Sequence, residues 1–153
     1  MSIDPNSSRT LFPLGFNGFK QSNWTPRAAM VLATAKDLAA PTRAISADDI
    51  LLALECGDNQ VSQVLRRLEI SPSAALRRPA PQSWSRISEL SLNDFDPRLD
   101  DFPQRVADEA AALGDRHLGS EHILLFLARS GISEVDLPYD RIKEAWLETM
   151  GRS

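Results

Sequence analysis

An all-α fold is predicted for this 153-residue chain by three observations. Apolar residues recur at helical spacing in six separate segments, helix-start signals precede several of them, and no convincing run alternates apolar and polar residues, so no sheet is expected. The first segment, "WTPRAAMVLATAKDLAA", sets Ala28, Val31, Leu32, Ala35 and Leu38 on one face. Thr25 stands as N-cap and Pro26 takes the first helical position, where its missing N–H costs nothing. "ISADDILLALE" carries Ile50, Leu51 and Leu54 behind Ser46, with Asp49 three residues on in a capping-box arrangement. "NQVSQVLRRLEI" offers Val61, Val64, Leu65 and Leu68 at i, i+3, i+4, i+7.

Residues 71–94 break the rhythm with Pro72, Pro79 and Pro81 and read as a connector with short helical pieces. The pattern returns with Phe102, Val106, Ala110 and Leu113 ahead of a stop at Gly114, then with Ile123, Leu124 and Leu127. A last stripe, Ile142, Trp146 and Met150, ends at Gly151. Pro103 falls inside what would be the first helix of the second copy, where it removes a hydrogen bond, so a break is expected there with Asp100 or Asp101 recapping the helix. Residues 1–23 show no period and read as a flexible leader, in which Phe12, Phe16 and Phe19 also suit a docking segment.

Composition narrows the function. With 42% hydrophobic and 25% charged residues, the chain is an ordinary single domain, long enough to bury about two-thirds of its unfolded surface without a metal or disulfide. Cys56 is the one cysteine, which excludes an internal disulfide and a cysteine-based zinc cluster and suits a reducing compartment. No secretory signal opens the chain and no stretch approaches the roughly 20 apolar residues of a membrane span, so a cytoplasmic protein without a membrane partner is expected. The net charge of −4 leaves only Arg66-Arg67 and Arg77-Arg78 as basic clusters, too short to imply nucleic acid.

The chain contains a duplication. "WTPR" at 24–27 matches "FDPR" at 95–98, and "ISADDILLAL" at 45–54 matches "LGSEHILLFL" at 118–127, in the same order and at offsets of 71 and 73 residues. Repeat one spans 24–76, the connector 77–94 and repeat two 95–150. "ARSGISEVDLPYD" lacks the Val-x-x-Val-Leu helix seen at 61–65, so repeat two is expected to be degenerate.

An aromatic-Thr-Pro-Arg opening, a small-residue helix and a Gly-Thr-Glu-His-like start to a leucine-rich helix, given twice, resemble the N-terminal repeat domain of the Clp ATPases over roughly residues 24–150. "DEAAALGDRHLGSEHILLFL" is close to that pattern and "DLAAPTRAISADDILLAL" more distant. The resemblance implies two pseudo-twofold-related helical repeats and a non-enzymatic module that binds Clp ATPase or protease subunits, adaptors or client proteins. The G-x-x-x-x-G-K-[ST] loop of a nucleotide-binding module is missing, so the chain resembles an adaptor or accessory factor of a Clp machine, with no cofactor. It also implies a second use, recognition of a modified peptide such as phosphoarginine in the groove between repeats. Helix N-terminal N–H groups would take the phosphate and a carboxylate the guanidinium. By position the first site uses Thr25 and Asp48, the second Asp96 and Glu121, with Asp49 and His122 beside the acids. Asp96 in place of a hydroxyl should repel phosphate, and Asp48 is one methylene shorter than Glu.

Plain capping accounts for acids in these first turns as well, since the helix dipole favours them there. Zinc is not expected. His117, Glu121 and His122 follow no H-E-x-x-H spacing, and one helix face cannot present all three, so a metal enzyme or small hydrolase requires another residue to converge with them. Cys56, without a nearby histidine in its own repeat, reads as a partly buried structural residue. Trp24 and Trp146 read as core, and Trp84, alone in the connector, as packing on a partner or closing the connector down.

Overall fold

A computed structural model of the chain describes residues 10–12, 24–39, 43–57, 59–86 and 90–151. Helix α1 (Pro26–Leu38) begins as the sequence predicts, the Thr25 hydroxyl accepting from the Ala28 N–H at 3.2 Å with Pro26 in the first turn. Helix α2 (Ala47–Leu54) carries the Ser46/Asp49 capping box, and α3 (Gln60–Arg67) is capped by Asn59. A short α4 (Pro72–Leu76) closes repeat one. In repeat two, α5 (Phe102–Ala112) starts after a 3-10 turn at Pro97–Leu99, α6 spans Ser120–Ser130 and α7 spans Tyr139–Thr149.

Pro103 does break the chain where expected. It sits in the first turn of α5, and Asp101 holds the N-cap position without a side-chain cap bond. Gly114 follows the helix with φ +76°, a left-handed stop that other residues adopt only with strain.

Two expectations are corrected. The chain has a minimal sheet: β1 (Thr10–Phe12) pairs antiparallel with β2 (Leu90–Ser91), Thr10 opposite Ser91 and Phe12 opposite Leu90. Two or three residues per strand are too few for a period of two to show in a sequence. Part of the leader is therefore tied to the connector, while Phe16 and Phe19 lie outside the described residues. The second correction concerns the missing helix. Helix α7 packs on α3 and buries Ile142, Ala145 and Trp146 with the i, i+3, i+4 spacing by which α3 buries Val61, Val64 and Leu65. It is the counterpart of α3, delayed by a longer loop, and the part without a counterpart in repeat two is α4.

The two repeats are joined crosswise. Trp24 of repeat one bridges to Leu118 of repeat two, with the Thr25 N–H donating to the Leu118 carbonyl at 3.0 Å. Phe95 of repeat two bridges to Ile45 of repeat one: the Ile45 N–H donates to Asp94 and the Asp96 N–H to Ile45, both at 2.8 Å. Trp24 and Phe95 are equivalent positions, as are Ile45 and Leu118, so the exchange is a pseudo-twofold one. Trp24 and Phe95 both stack on Phe102, at 5.6 and 5.4 Å between ring centroids, and Phe126 meets Phe102 edge-on at 5.7 Å. One core, including the fully buried Leu32, Ile50, Leu65 and Leu127, runs through both repeats.

Candidate functional site

The crossed joint decides which residues meet. Because each opening motif pairs with the helix start of the other repeat, Thr25 shares a cleft with Glu121, and Asp96 is hydrogen-bonded through its backbone to the strand end that leads into Asp48. The structure thus brings Thr25 beside Glu121 and Asp96 toward the Asp48 helix start, whereas position within a repeat pairs Thr25 with Asp48 and Asp96 with Glu121. Long-range backbone hydrogen bonds set the partners, and spacing within a repeat does not report them.

The Thr25–Glu121 cleft encloses about 520 Å³, walled by Thr25, Arg27, Asn59, Gln60, Val61 and Gln63 of repeat one and by His117, Ser120, Glu121 and Trp146 of repeat two. Its wall is mixed. The Trp146 ring is buried, and its indole N–H has no acceptor among the described residues. Met150 lies at the rim as the one exposed large apolar residue of the described chain. Arg27 sits 5.6 Å from the Trp84 ring, whose Nε1 lies against Gly57, so Trp84 is half-buried and folds the connector onto α1. The Ser85 N–H adds a 2.9 Å bond to the Thr34 hydroxyl. Cys56 is buried, and that burial pushes its thiol pKa up despite the nearby Arg27, the opposite of what a nucleophile needs.

At the equivalent position in the other half, the place a ligand would take on Asp48 is filled from within. The Asp48 carboxylate accepts from the Ser133 hydroxyl at 2.6 Å and the Glu134 N–H at 3.0 Å, both from the loop between α6 and α7. Asp96 caps the 3-10 turn through the Arg98 N–H at 2.9 Å and pairs with the Arg98 guanidinium at 3.2 Å, whose hydrogen bonds hold its carboxyl below the usual range.

Asp49 and His122 are structural. Asp49 is fully buried and accepts from Arg43 at 2.9 and 3.1 Å, from the Ser46 N–H at 2.9 Å and from Arg78 at 2.7 Å. Burial opposes its ionisation, but these donors outweigh it and hold the carboxyl below its ordinary value. His122 does in α6 what Asp49 does in α2: its Nδ1 accepts from the Gly119 N–H at 2.9 Å, the reciprocal half of a capping box. That assigns the proton to Nε2, which faces the Asp115 carboxylate at 2.8 Å. Neither side chain reaches a ligand in the cleft.

The sequence objection to a shared cluster fails on geometry. His117 is not on α6. The loop after α5 turns back so that His117 Nε2 comes 3.0 Å from Glu121 Oε1, and Asp115, His117, Glu121 and His122 offer ligand atoms within 4.8 Å of one another. Asp115 was not legible as a member, because it and His117 precede the helix and no helical period relates them to Glu121. Arg27 and Trp146 were likewise missed as cleft residues, although the repeated Pro-Arg of Arg27 and Arg98 marks both openings.

No protein-family model matches the chain, and no curated protein does. Among solved structures the chain is similar to the N-terminal domain of the caseinolytic protease associated chaperone ClpD from Arabidopsis thaliana, with 16% identity over 92% of this chain and 91% of that one and a TM-score of 0.44. No described helix is long and apolar enough to cross a membrane.

Proposed function

We propose that the chain is a non-enzymatic, Clp-related protein-interaction module that engages a segment of a partner protein in the Thr25–Glu121 cleft. The observation that carries this reading is the crossed joint, which brings the Thr-Pro-Arg opening of one repeat beside the Ser-Glu-His helix start of the other. The cleft then combines a hydroxyl, a guanidinium, a carboxylate, an indole ring and an exposed methionine, a set suited to a peptide backbone and mixed side chains. An adaptor or accessory role with Clp ATPase or protease subunits, other adaptors or their clients is what the resemblance of the two opening motifs and helix starts in the sequence implies.

A second reading, recognition of a phosphorylated arginine, gains from the same observation. Both departures from the family pattern, Asp48 and Asp96, fall in the filled cleft, and the open one keeps both a threonine and a glutamate. Arg27 and the α6 N-terminus supply positive charge for a phosphate, and Glu121 a partner for a guanidinium.

Capture from a cell extract on the immobilised chain, beside Glu121→Lys and Arg98→Ala variants, tests the first reading. Recovery of Clp subunits or their clients by the parent chain and by Arg98→Ala, but not by Glu121→Lys, is expected. The same yield of those proteins from all three baits would sink the cleft as the binding surface, and a capture without any Clp component or client would sink the Clp connection. Titration of a phosphoarginine peptide against its arginine counterpart decides the second reading, equal affinities counting against it.

A further inference from the structure

We propose that the start of α6 holds a divalent first-row transition cation of the zinc class, bound by Asp115, His117 and Glu121 and positioned by His122. The cluster lies in the wall of the open cleft, and its construction does not depend on what the cleft binds.

Three details make it a built site rather than a chance gathering. The carboxylates of Asp115 and Glu121 are mostly shielded, with side chains 16% and 12% exposed, and converge on the half-exposed His117 ring. The helix N-terminus opposes a cation, but two full charges outweigh its fractional positive end. Imidazole and carboxylate together are the donor set of zinc and its neighbours.

His122 is the support. Its Nδ1 is committed to the Gly119 N–H, so its Nε2–H points at Asp115 and cannot face a metal without losing the cap. It therefore orients a ligand carboxylate, the usual work of an outer-shell partner. The three remaining donors match the ligand count of a zinc site that keeps an open position, and His117 and Glu121 present that position to the cleft. Donor atoms on tetrahedral zinc are about 3.3 Å apart given bonds near 2 Å, so small side-chain rotations close the present spacing, at most 4.8 Å.

Gly119 makes room for the third donor. A Cβ at this position would run into the Glu121 carboxylate where it folds back toward His117, so the carboxylate would have to shift away from its present place. The equivalent residue in repeat one is Ser46, and Asp48 there turns to the loop at Ser133 instead. The histidines are also confined to repeat two, being the only two in the chain.

Zinc titration of the untagged chain against a chromogenic chelator, with cobalt absorption as a report of coordination, is the test. One zinc per chain is expected. His117→Ala and Gly119→Ala should each weaken it at least tenfold, and Asp48→Asn should leave it unchanged. Because His117 is half-exposed, its variant should keep the helical circular dichroism of the parent chain, so a loss of binding there reads the ligand and not the fold. Absence of zinc and cobalt binding under saturating metal, or binding that His117→Ala leaves intact, would overturn the proposal.

Discussion

The two clefts between the repeats arise from one backbone device, yet one is open and the other is filled. At both, an aromatic-x-Pro-Arg opening bridges to the residue ahead of an acid-bearing helix start. The difference lies in the loop that follows each of those helices. Residues 55–59 connect α2 to α3, and the longer stretch 131–138 connects α6 to α7. That longer loop carries Ser133 and Glu134 onto Asp48, where they supply the two donors a ligand would otherwise offer. A neighbouring loop can thus take up the acid of a helix start, and a motif scan would count as alike two positions that the tertiary structure has made different.

If the clefts share one core, truncating either side should unfold both. Leu65→Ala and Leu124→Ala are each expected to cost about 2–5 kcal/mol by chemical denaturation, with a single transition. Two separate transitions would show that the repeats melt independently and would break the comparison.

A smaller effect is expected at Asp49, the buried cap whose counterpart in α6 is His122. Asp49→Ala removes hydrogen bonds from Arg43 and Arg78, both partly exposed, and should cost about 1–3 kcal/mol. Its pKa is depressed on folding, so its stabilising contribution is full above the unfolded value of about 3.9 and is lost as pH falls below that through the folded value. The variant should therefore unfold in acid with a shallower pH dependence than the parent below about pH 4. Identical acid-unfolding curves would show that the carboxylate contributes nothing.

Opening the filled cleft is the sharper test of the comparison. Ser133→Ala removes one hydrogen bond to the Asp48 carboxylate, and a loss of about 1 kcal/mol is expected, with faster hydrogen exchange confined to 131–138. Unchanged exchange in that loop would mean that Asp48 does not hold it. Arg98→Ala should do least: its side chain is 65% exposed, and its pairing with Asp96 is screened, so the melting temperature should stay where it is.

What the residues determined unaided is what depends on near neighbours in the chain. The cap at Thr25, the capping box at Ser46 and Asp49, the break at Pro103 and the stop at Gly114 are decided within about four residues, and helical periodicity reports which face is buried. The duplication was legible for the same reason, since it needs only comparison along the chain. The minimal β1–β2 ladder, the crossing of Trp24 to Leu118 and of Ile45 to Phe95, the filling of the Asp48 cleft and the gathering of Asp115 with His117 and Glu121 were decided by the tertiary structure alone. They rest on backbone bonds and loop paths between residues far apart in sequence, and no local propensity encodes which distant carbonyl an N–H will find.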